Sequence, residues 1–180
     1  MTDFKALVQN RRSHRKFTQE EINGEDLRLI LRAALMSPTS KNQRNWQFVV
    51  VDDPVLLEKL SDAKELGAAF IKGAPVAVVV VGNTTENDCW IEDCSIASIS
   101  MQYQAEELGI GSCWAQMRGR GLNDGTSADD VIRGLLNMPA DLSVLCVIAF
   151  GHKADERKPQ NEEKLKWEQV QIGPFEAESK

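Results

Sequence analysis

The sequence predicts an α+β domain in which helices surround a buried sheet of four or five strands. The first observation is a pair of continuous apolar runs, 74–81 and 142–150, which lack polar alternation and therefore indicate strands buried on both faces. The second is the stretch 24–36, where apolar side chains recur every three or four positions, as on one face of a helix. A chain of 180 residues is long enough to bury a sizeable core.

The other elements follow in chain order from periodicity and from turn residues. The predicted helices are 2–10, 24–36, 54–60, 88–108 and 127–136. The predicted strands are 46–51, 74–82, 112–117 and 142–150. Thr18–Glu21 has the form of a capping box for the second helix, and Pro38 ends that helix because its ring cannot continue the hydrogen bonding.

The C-terminal part, from Gly151 onward, is polar and charged but carries spaced apolar residues. These residues are Trp167, Val170, Ile172 and Phe175. They are too few to form a core of their own. We therefore expect this segment to pack on another surface, such as a second subunit.

The charge of the chain is −6, from 21 basic and 27 acidic residues. This balance argues against a dedicated binder of nucleic acid or of an anionic membrane surface, because phosphate contacts need clustered positive charge. Residues 1–16 nevertheless hold five basic residues against Asp3 alone, a local charge of +4, which leaves −10 for the remainder. One short basic cluster in an acidic protein favours a small anionic ligand.

The cysteines and the hydropathy indicate the compartment. Four cysteines at irregular spacing do not form a disulfide framework, and two histidines allow no zinc-ligand spacing, so no metal is expected. The longest apolar run, 74–81, is far shorter than the ~20 residues that a membrane helix needs. With no apolar leader at the N-terminus, we expect a cytoplasmic protein.

Three segments carry chemistry that could form a site. In the basic segment, defined as Arg11–Phe17, Arg11, Ser13 and Arg15 would point to the same side of an extended chain and could hold one phosphate. The polar loop, defined as residues 38–45, offers hydroxyl and amide groups before a strand. The third, Gly109–Gln116, combines glycines that allow close backbone approach with an indole that could cover a flat ligand. Each segment alone is equally compatible with an ordinary solvated turn or loop.

Together, and in this order, the segments resemble the nitroreductase family of FMN-dependent oxidoreductases. The basic segment matches that family's R-x-S-x-[RK]-x-F pattern, and Ser37–Trp46 matches its S-P-[ST]-x-x-N loop, with Arg44 and Asn45 departing from it. Gly109–Trp114 matches G-[LI]-G-[ST]-C-W without a gap, and Gly151–Pro159 matches the segment after the last strand. The resemblance implies one nitroreductase-like domain over residues 1–180, a mostly antiparallel central sheet and an intertwined homodimer.

The resemblance also implies a set of FMN ligands. The phosphate and ribityl chain would be held by Arg11, Arg12, Ser13 and Arg15, with Arg157 or Lys158 adding to the phosphate site. The ring system would be approached from the other subunit by Pro38, Thr39, Ser40 and Asn42. It would be lined by Trp114, Ala115 and Gln116, where a backbone N–H near Gln116 reaches flavin N5. Residues 152–180 would form a C-terminal extension that packs on the partner subunit.

The activity implied by the resemblance is hydride transfer from NAD(P)H through flavin N5 to a small acceptor such as a nitroaromatic or a quinone. No catalytic acid or base is expected, because the flavin carries the chemistry. Three alternatives remain open at this point. They are a specialised flavoenzyme of the same fold, such as a dehalogenase or dehydrogenase; a flavin-binding carrier or sensor; and a nucleic-acid-binding protein that uses the basic segment.

Overall fold

The computed structural model describes residues 3–174. Within that range the chain forms five α-helices: α1 (Phe4–Asn10), α2 (Gly24–Leu35), α3 (Pro54–Ser61), α4 (Trp90–Glu107) and α5 (Ala128–Leu135). The same range contains four strands: β1 (Trp46–Val51), β2 (Val76–Asn83), β3 (Ile110–Gln116) and β4 (Leu142–His152). None of the helices in the described range has the length and apolar content needed to cross a membrane.

The four strands form one sheet in the order β1-β2-β4-β3, and every neighbouring pair is antiparallel. The predicted α+β class is confirmed, the described residues form four of the four or five strands expected, and the sheet they form is antiparallel throughout. β2 and β4 occupy the centre, whereas β1 and β3 form the two edges. This arrangement gives β3 an open side along which another segment can lie.

The sheet separates two hydrophobic cores, one on each face. Val79 and Val81 of β2 belong to the core that includes α3 and α5, whereas Val78 and Val80 belong to the core that includes α2 and α4. All four side chains are completely buried. Because successive side chains of a strand point to opposite faces, a strand covered on both faces is apolar at every position. The continuous apolar runs therefore predicted the two central strands.

The predicted start of α2 at residue 24 is confirmed, but its predicted cap and the predicted start of β3 are wrong. The cap of α2 is Asn23, whose side chain accepts a hydrogen bond from the Asp26 N–H at 2.9 Å, and the capping-box pattern at Thr18–Glu21 is not used. The Thr18 N–H instead donates to the His152 carbonyl oxygen at 3.0 Å, which keeps this stretch beside the sheet. β3 begins at Ile110, two residues earlier than predicted, because α4 ends before Gly109 and the chain turns there through a positive φ of 76°.

After β4 the chain returns along the N-terminal part of the protein. The Ala154 N–H donates to the Lys16 carbonyl oxygen at 3.1 Å, and the Gln160 N–H donates to the Gln9 carbonyl oxygen at 2.8 Å. Beyond this point the side chains are exposed, including the apolar residues Trp167 (70%), Val170 (60%) and Ile172 (99%). Phe175 lies outside the described residues. That residues 152–180 pack on a partner subunit stays a prediction.

Candidate functional site

The basic segment lies along the open side of β3. Ser13 pairs with Ser112 in parallel orientation, and the His14 N–H donates to the Ser112 carbonyl oxygen at 3.0 Å. Phe17 pairs with Lys153 in antiparallel orientation, and its ring is buried. Main-chain bonds therefore hold the segment extended between β3 and the end of β4.

Three side chains of the segment, those of Arg11, Ser13 and Arg15, influence the pKa of one thiol, that of Cys113 in β3. Burial raises the pKa of this thiol, whereas the charge of Arg15, the Ser13 side chain and the charges of Arg11 and Arg157 lower it. The four groups therefore belong to the electrostatic surroundings of the same residue, Cys113. That Arg11, Ser13 and Arg15 share one side of the segment, as alternate residues of an extended chain do, stays a prediction, and the influence of all three on one thiol is consistent with it.

Two guanidinium groups of this cluster have no carboxylate partner. Within residues 3–174, neither Arg11 nor Arg15 forms an ion pair, although the Arg15 guanidinium lies 5.9 Å from the centre of the Phe70 ring. Arg157 differs, because its Nη2 lies 2.7 Å from Oδ2 of Asp155. Two uncompensated arginines beside a serine hydroxyl form a donor set that suits a phosphate group.

Arg12 makes a different contact from Arg11 and Arg15. The Arg12 guanidinium donates to the carbonyl oxygen of Lys158, which ties the C-terminal segment to the basic segment. Since Arg12 alternates with Arg11 and Ser13, its side chain leaves the chain on the opposite side. Of the two C-terminal basic residues considered from sequence, only Arg157 influences the Cys113 thiol.

A buried histidine completes the junction between the basic segment and the C-terminal segment. Nδ1 of His14, a residue that is 3% exposed, lies 2.8 Å from Oδ1 of Asp155. Burial raises the pKa of Asp155, but the hydrogen bond from His14 and the charge of Arg157 outweigh it and hold that pKa below its usual value. The junction borders a groove of about 630 Å³ that is also lined by Lys153 and Glu106. The Nζ of Lys153 lies 2.9 Å from Oε1 of Glu106, so this charge is neutralised within the groove.

The free edge of β3 continues from the basic segment toward the end of the strand. The Ser112 carbonyl faces this edge, where it accepts from His14, and in an antiparallel pair every second residue presents its backbone groups to the same side. Trp114 and Gln116 therefore also present N–H and C=O groups to the open edge. Their side chains are joined to each other, since Trp114 Nε1 donates to Gln116 Oε1 at 3.0 Å. Ala115 is 1% exposed, so its side chain belongs to the core.

Lys64, in the loop after α3, was not predicted as a site residue. Its Nζ donates to the Gln116 carbonyl oxygen at 2.8 Å on the same open edge, although the residue is only 9% exposed. Burial lowers the pKa of Lys64, and the positive charge of Arg120 lowers it further. A sequence signal did exist, because Lys64 continues the apolar stripe of Leu57 and Leu60 at helical spacing. A lysine at a position with apolar surroundings usually forms an ion pair or a hydrogen bond, or has a functional role.

The polar loop is separated from the basic segment within one chain. The loop leads into β1, and β1 and β3 are opposite edges of the sheet, about three strand spacings or 14 Å apart. Thr39, Ser40 and Asn42 therefore do not meet Arg11 or Arg15 in the same chain. Pro38, which precedes them, is exposed.

The loop has an unusual backbone. Residues Ser40–Asn42 form a single 3₁₀ turn, and Lys41, Asn42 and Arg44 have positive φ values of 51°, 56° and 55°. The Thr39 hydroxyl oxygen accepts from the Arg44 N–H at 3.1 Å, which closes the loop. Non-glycine residues rarely adopt this conformation, and such residues concentrate at functional sites.

Comparison with curated proteins identifies relatives that align over most of this chain. A protein of Archaeoglobus fulgidus named "putative NADH dehydrogenase/NAD(P)H nitroreductase" is 32% identical over 161 residues, which cover 87% of this chain and 89% of that protein. A Methanothermobacter thermautotrophicus protein of the same name is 32% identical over 156 residues, covering 85% of this chain and 78% of the relative.

Comparison with solved structures identifies the same fold. The FMN-dependent nitroreductase of Clostridium difficile R20291 superimposes with a TM-score of 0.94 at 42% identity, over 96% of this chain and 100% of that one. A Desulfovibrio desulfuricans protein described as a "putative nitroreductase in complex with FMN" has a TM-score of 0.76 at 24% identity, over 98% and 99% of the two chains, and at that identity shows the fold alone. The sequence model of the Nitroreductase family matches residues 8–152, from α1 through the end of β4. The chain belongs to the nitroreductase family.

Proposed function

We propose that this protein binds FMN, oxidises NAD(P)H and reduces a small acceptor such as a nitroaromatic or a quinone. Family membership and the names of the relatives support an FMN-dependent NAD(P)H oxidoreductase. The observation that carries the proposal is the cluster of Arg11, Ser13 and Arg15 on an extended segment bound to the open edge of β3.

The chemistry of this donor set fits the phosphate of a mononucleotide. Two guanidinium groups without carboxylate partners among the described residues can each donate two hydrogen bonds to phosphate oxygens, and the Ser13 hydroxyl can donate one more. Arg157 is held next to them by Asp155. Backbone pairing with the sheet already orders the main chain of the segment, so phosphate binding has only the side chains left to order.

The ring system of the cofactor would lie farther along the same edge. Bound FMN supplies the group that takes up a hydride from NAD(P)H and delivers it to the acceptor. The chain supplies the backbone N–H groups of Trp114 and Gln116 as donors to the ring, and Lys64 as a positive charge near it. The indole of Trp114 is held in place by Gln116. No side chain of this edge is required as a general acid or base.

The complete site requires a second copy of the chain. Pro38, Thr39, Ser40 and Asn42 would approach the ring from the partner subunit, since within their own chain they lie at the opposite edge of the sheet. The exposed apolar residues of the C-terminal segment, 152–180, would be buried on that partner. Both features support a homodimer with two equivalent sites.

We further propose that NAD(P)H and the acceptor bind in turn at the same open side of the site. The kinetic signature is a ping-pong pattern, in which double-reciprocal plots at several acceptor concentrations are parallel. Comparing NADH with NADPH, and a panel of nitroaromatics with quinones, would define the preferred substrates. A halogenated acceptor turned over faster than all of these would favour the dehalogenase alternative.

The test of the cofactor is the visible spectrum of the purified protein. We expect flavin absorbance near its usual maxima, bleached by anaerobic titration with NADH or NADPH and restored when an acceptor is added. A colourless protein that neither binds added FMN nor oxidises NAD(P)H would contradict the proposed function. Flavin binding without steady-state NAD(P)H oxidation would instead support a carrier or sensor.

A further inference from the structure

We propose that Asp93 is a positioning residue that holds the polar loop in the conformation that reaches the cofactor of the partner subunit. The inference rests on the proposed function, in which Thr39, Ser40 and Asn42 approach FMN across a dimer interface. Asp93 lies in the first turn of α4 and is 3% exposed. It acts through the loop backbone and does not itself belong to the phosphate cluster.

Both carboxylate oxygens of Asp93 accept hydrogen bonds from other segments. Oδ1 accepts from the Ser40 N–H at 2.8 Å, and Oδ2 accepts from Nδ2 of Asn87 at 2.7 Å. Asn87 is itself 2% exposed, and its Oδ1 accepts from the Cys89 N–H at 2.9 Å. Each oxygen of this buried carboxylate therefore has one N–H donor, and removing either partner leaves a buried polar group unpaired.

The polar loop needs such an anchor because its backbone is strained. Non-glycine residues are disfavoured in the left-handed region, and the loop contains three of them, at Lys41, Asn42 and Arg44. The bond from the Ser40 N–H to Asp93 stands at the beginning of the turn. Without it, the backbone can relax toward ordinary φ values, which would redirect the side chains that follow.

The anchor is attached to a rigid part of the molecule. Asp93 is followed by Cys94 and Ala97, both completely buried against the sheet. The position of its carboxylate is therefore set by the core, and a carboxylate in the first turn of a helix is also favoured by the helix dipole. A functional group carried by a loop is placed more accurately when a packed helix holds that loop.

The network can be broken by one substitution and restored by a second. Asp93→Asn sets two amide groups against each other, and Asn87→Asp sets two carboxylates against each other, so each single variant loses a buried hydrogen bond. In the double variant Asn87→Asp/Asp93→Asn, the amide at position 93 can accept from Ser40 and donate to the carboxylate at position 87. That carboxylate can still accept from Cys89, so all three bonds are recovered.

We expect each single variant to bind FMN about tenfold or more weakly, and the double variant to bind within about threefold of the wild type. Bound FMN is first removed from each protein. The affinity is then measured by titration with FMN, whose fluorescence is quenched on binding. Glu92→Gln is the matched control, because it removes a neighbouring but exposed carboxylate from the same helical turn. Wild-type affinity in both single variants, or no recovery in the double variant, would overturn the inference. A wild-type protein that binds no FMN would overturn the proposed function together with the inference.

Mixed dimers test whether the loop acts across the interface. Co-expression of Asp93→Asn chains with Arg11→Ala chains, each with a different tag, yields heterodimers with one site that carries both defects. The other site combines the intact Arg11 of one chain with the intact loop of the other. We expect half of the sites in purified heterodimers to bind FMN with wild-type affinity. If the polar loop instead contacts the FMN bound to its own chain, neither site of the heterodimer is intact. Heterodimers in which no site binds FMN with wild-type affinity would therefore contradict the inference.

Discussion

The basic segment and the polar loop are two parts of one proposed site that are built in different ways. The basic segment is extended, and its position comes from main-chain pairing with β3 and with the end of β4. The polar loop has three residues with positive φ, and its position comes from side chains such as Asp93. Pairing with a sheet leaves the side chains free for a ligand, whereas a strained loop uses buried side chains to keep its shape.

This difference predicts how each region responds to substitution. The basic segment should be displaced by anything that separates it from the sheet, with a large effect on both stability and cofactor binding. The polar loop should change its conformation with little effect on the core, because the side chains from Lys41 to Arg44 are exposed. Four predictions, each with its own substitutions, test this contrast.

The largest effect is expected where the basic segment packs on β4. A methyl group added at Gly151 would lie 2.7 Å from Cδ of Pro75 and 2.9 Å from Cβ of Phe17. Neither contact can be relieved by rotating a long side chain, so Phe17 and the segment before it must move. We expect Gly151→Ala to lower the free energy of unfolding by about 3 kcal/mol. Urea denaturation followed by circular dichroism measures it.

Gly134→Ala is the control for this substitution. A methyl group at Gly134 has no atom within 4 Å, and the residue lies inside α5. Alanine is the better helix former, so this variant should be more stable than the wild type by up to about 1 kcal/mol. If Gly151→Ala and Gly134→Ala lost the same free energy of unfolding, close packing between the basic segment and β4 would not explain the loss in Gly151→Ala.

The second prediction separates the two sides of the basic segment. Arg11→Ala should weaken FMN binding about 10- to 100-fold, since a charge-assisted hydrogen bond to phosphate contributes about 1.5–3 kcal/mol. Arg12→Ala should change FMN binding much less, because that guanidinium is bound to the Lys158 carbonyl oxygen. Titration of both FMN-free variants with FMN compares them directly. Equal affinities in the two variants would show that the phosphate site is not on the side of Ser13.

Much of the fold and the basic segment could be predicted from the sequence, because both depend on local patterns. The apolar runs 74–81 and 142–150 are typical of strands buried on both faces, and alternation along an extended chain predicts that Arg11, Ser13 and Arg15 point the same way. Arg12 was predicted as a phosphate ligand together with Arg11, Ser13 and Arg15. Residue type alone does not show that its guanidinium binds the carbonyl oxygen of Lys158, which is far away in the sequence.

The polar loop and Lys64 could be predicted only in part. The loop contains no glycine, so its residue types did not predict the positive φ values at Lys41 and Arg44. The role of Asp93 depends on Asn87 and Ser40, which are 6 and 53 positions away, and periodicity carries no information about such contacts. These interactions are set by tertiary packing.

A smaller effect is expected from relieving strain in the polar loop. Lys41 has φ of 51° and an exposed side chain. Glycine adopts this conformation freely and alanine does not, so Lys41→Gly should be more stable than Lys41→Ala by about 1 kcal/mol. This is the reverse of the order expected in a helix. Urea denaturation of the two variants measures the difference, and a more stable alanine variant would mean that the left-handed turn is not kept in solution.

The smallest effect concerns the junction of the basic segment with the C-terminal segment, and it depends on pH. His14 and Arg157 hold the pKa of Asp155 below its usual value despite burial, so the ionised carboxylate favours the folded state. This stabilisation is complete above the unfolded-state pKa of about 3.9 and is lost as the pH falls through the lower folded-state pKa. Asp155→Asn should therefore be less stable than the wild type at pH 6, and the gap should narrow toward pH 3. Urea denaturation of both proteins at pH 6 and pH 3 measures the difference in their free energies of unfolding. If that difference were the same at both pH values, the charge of Asp155 would not hold the C-terminal segment against the basic segment.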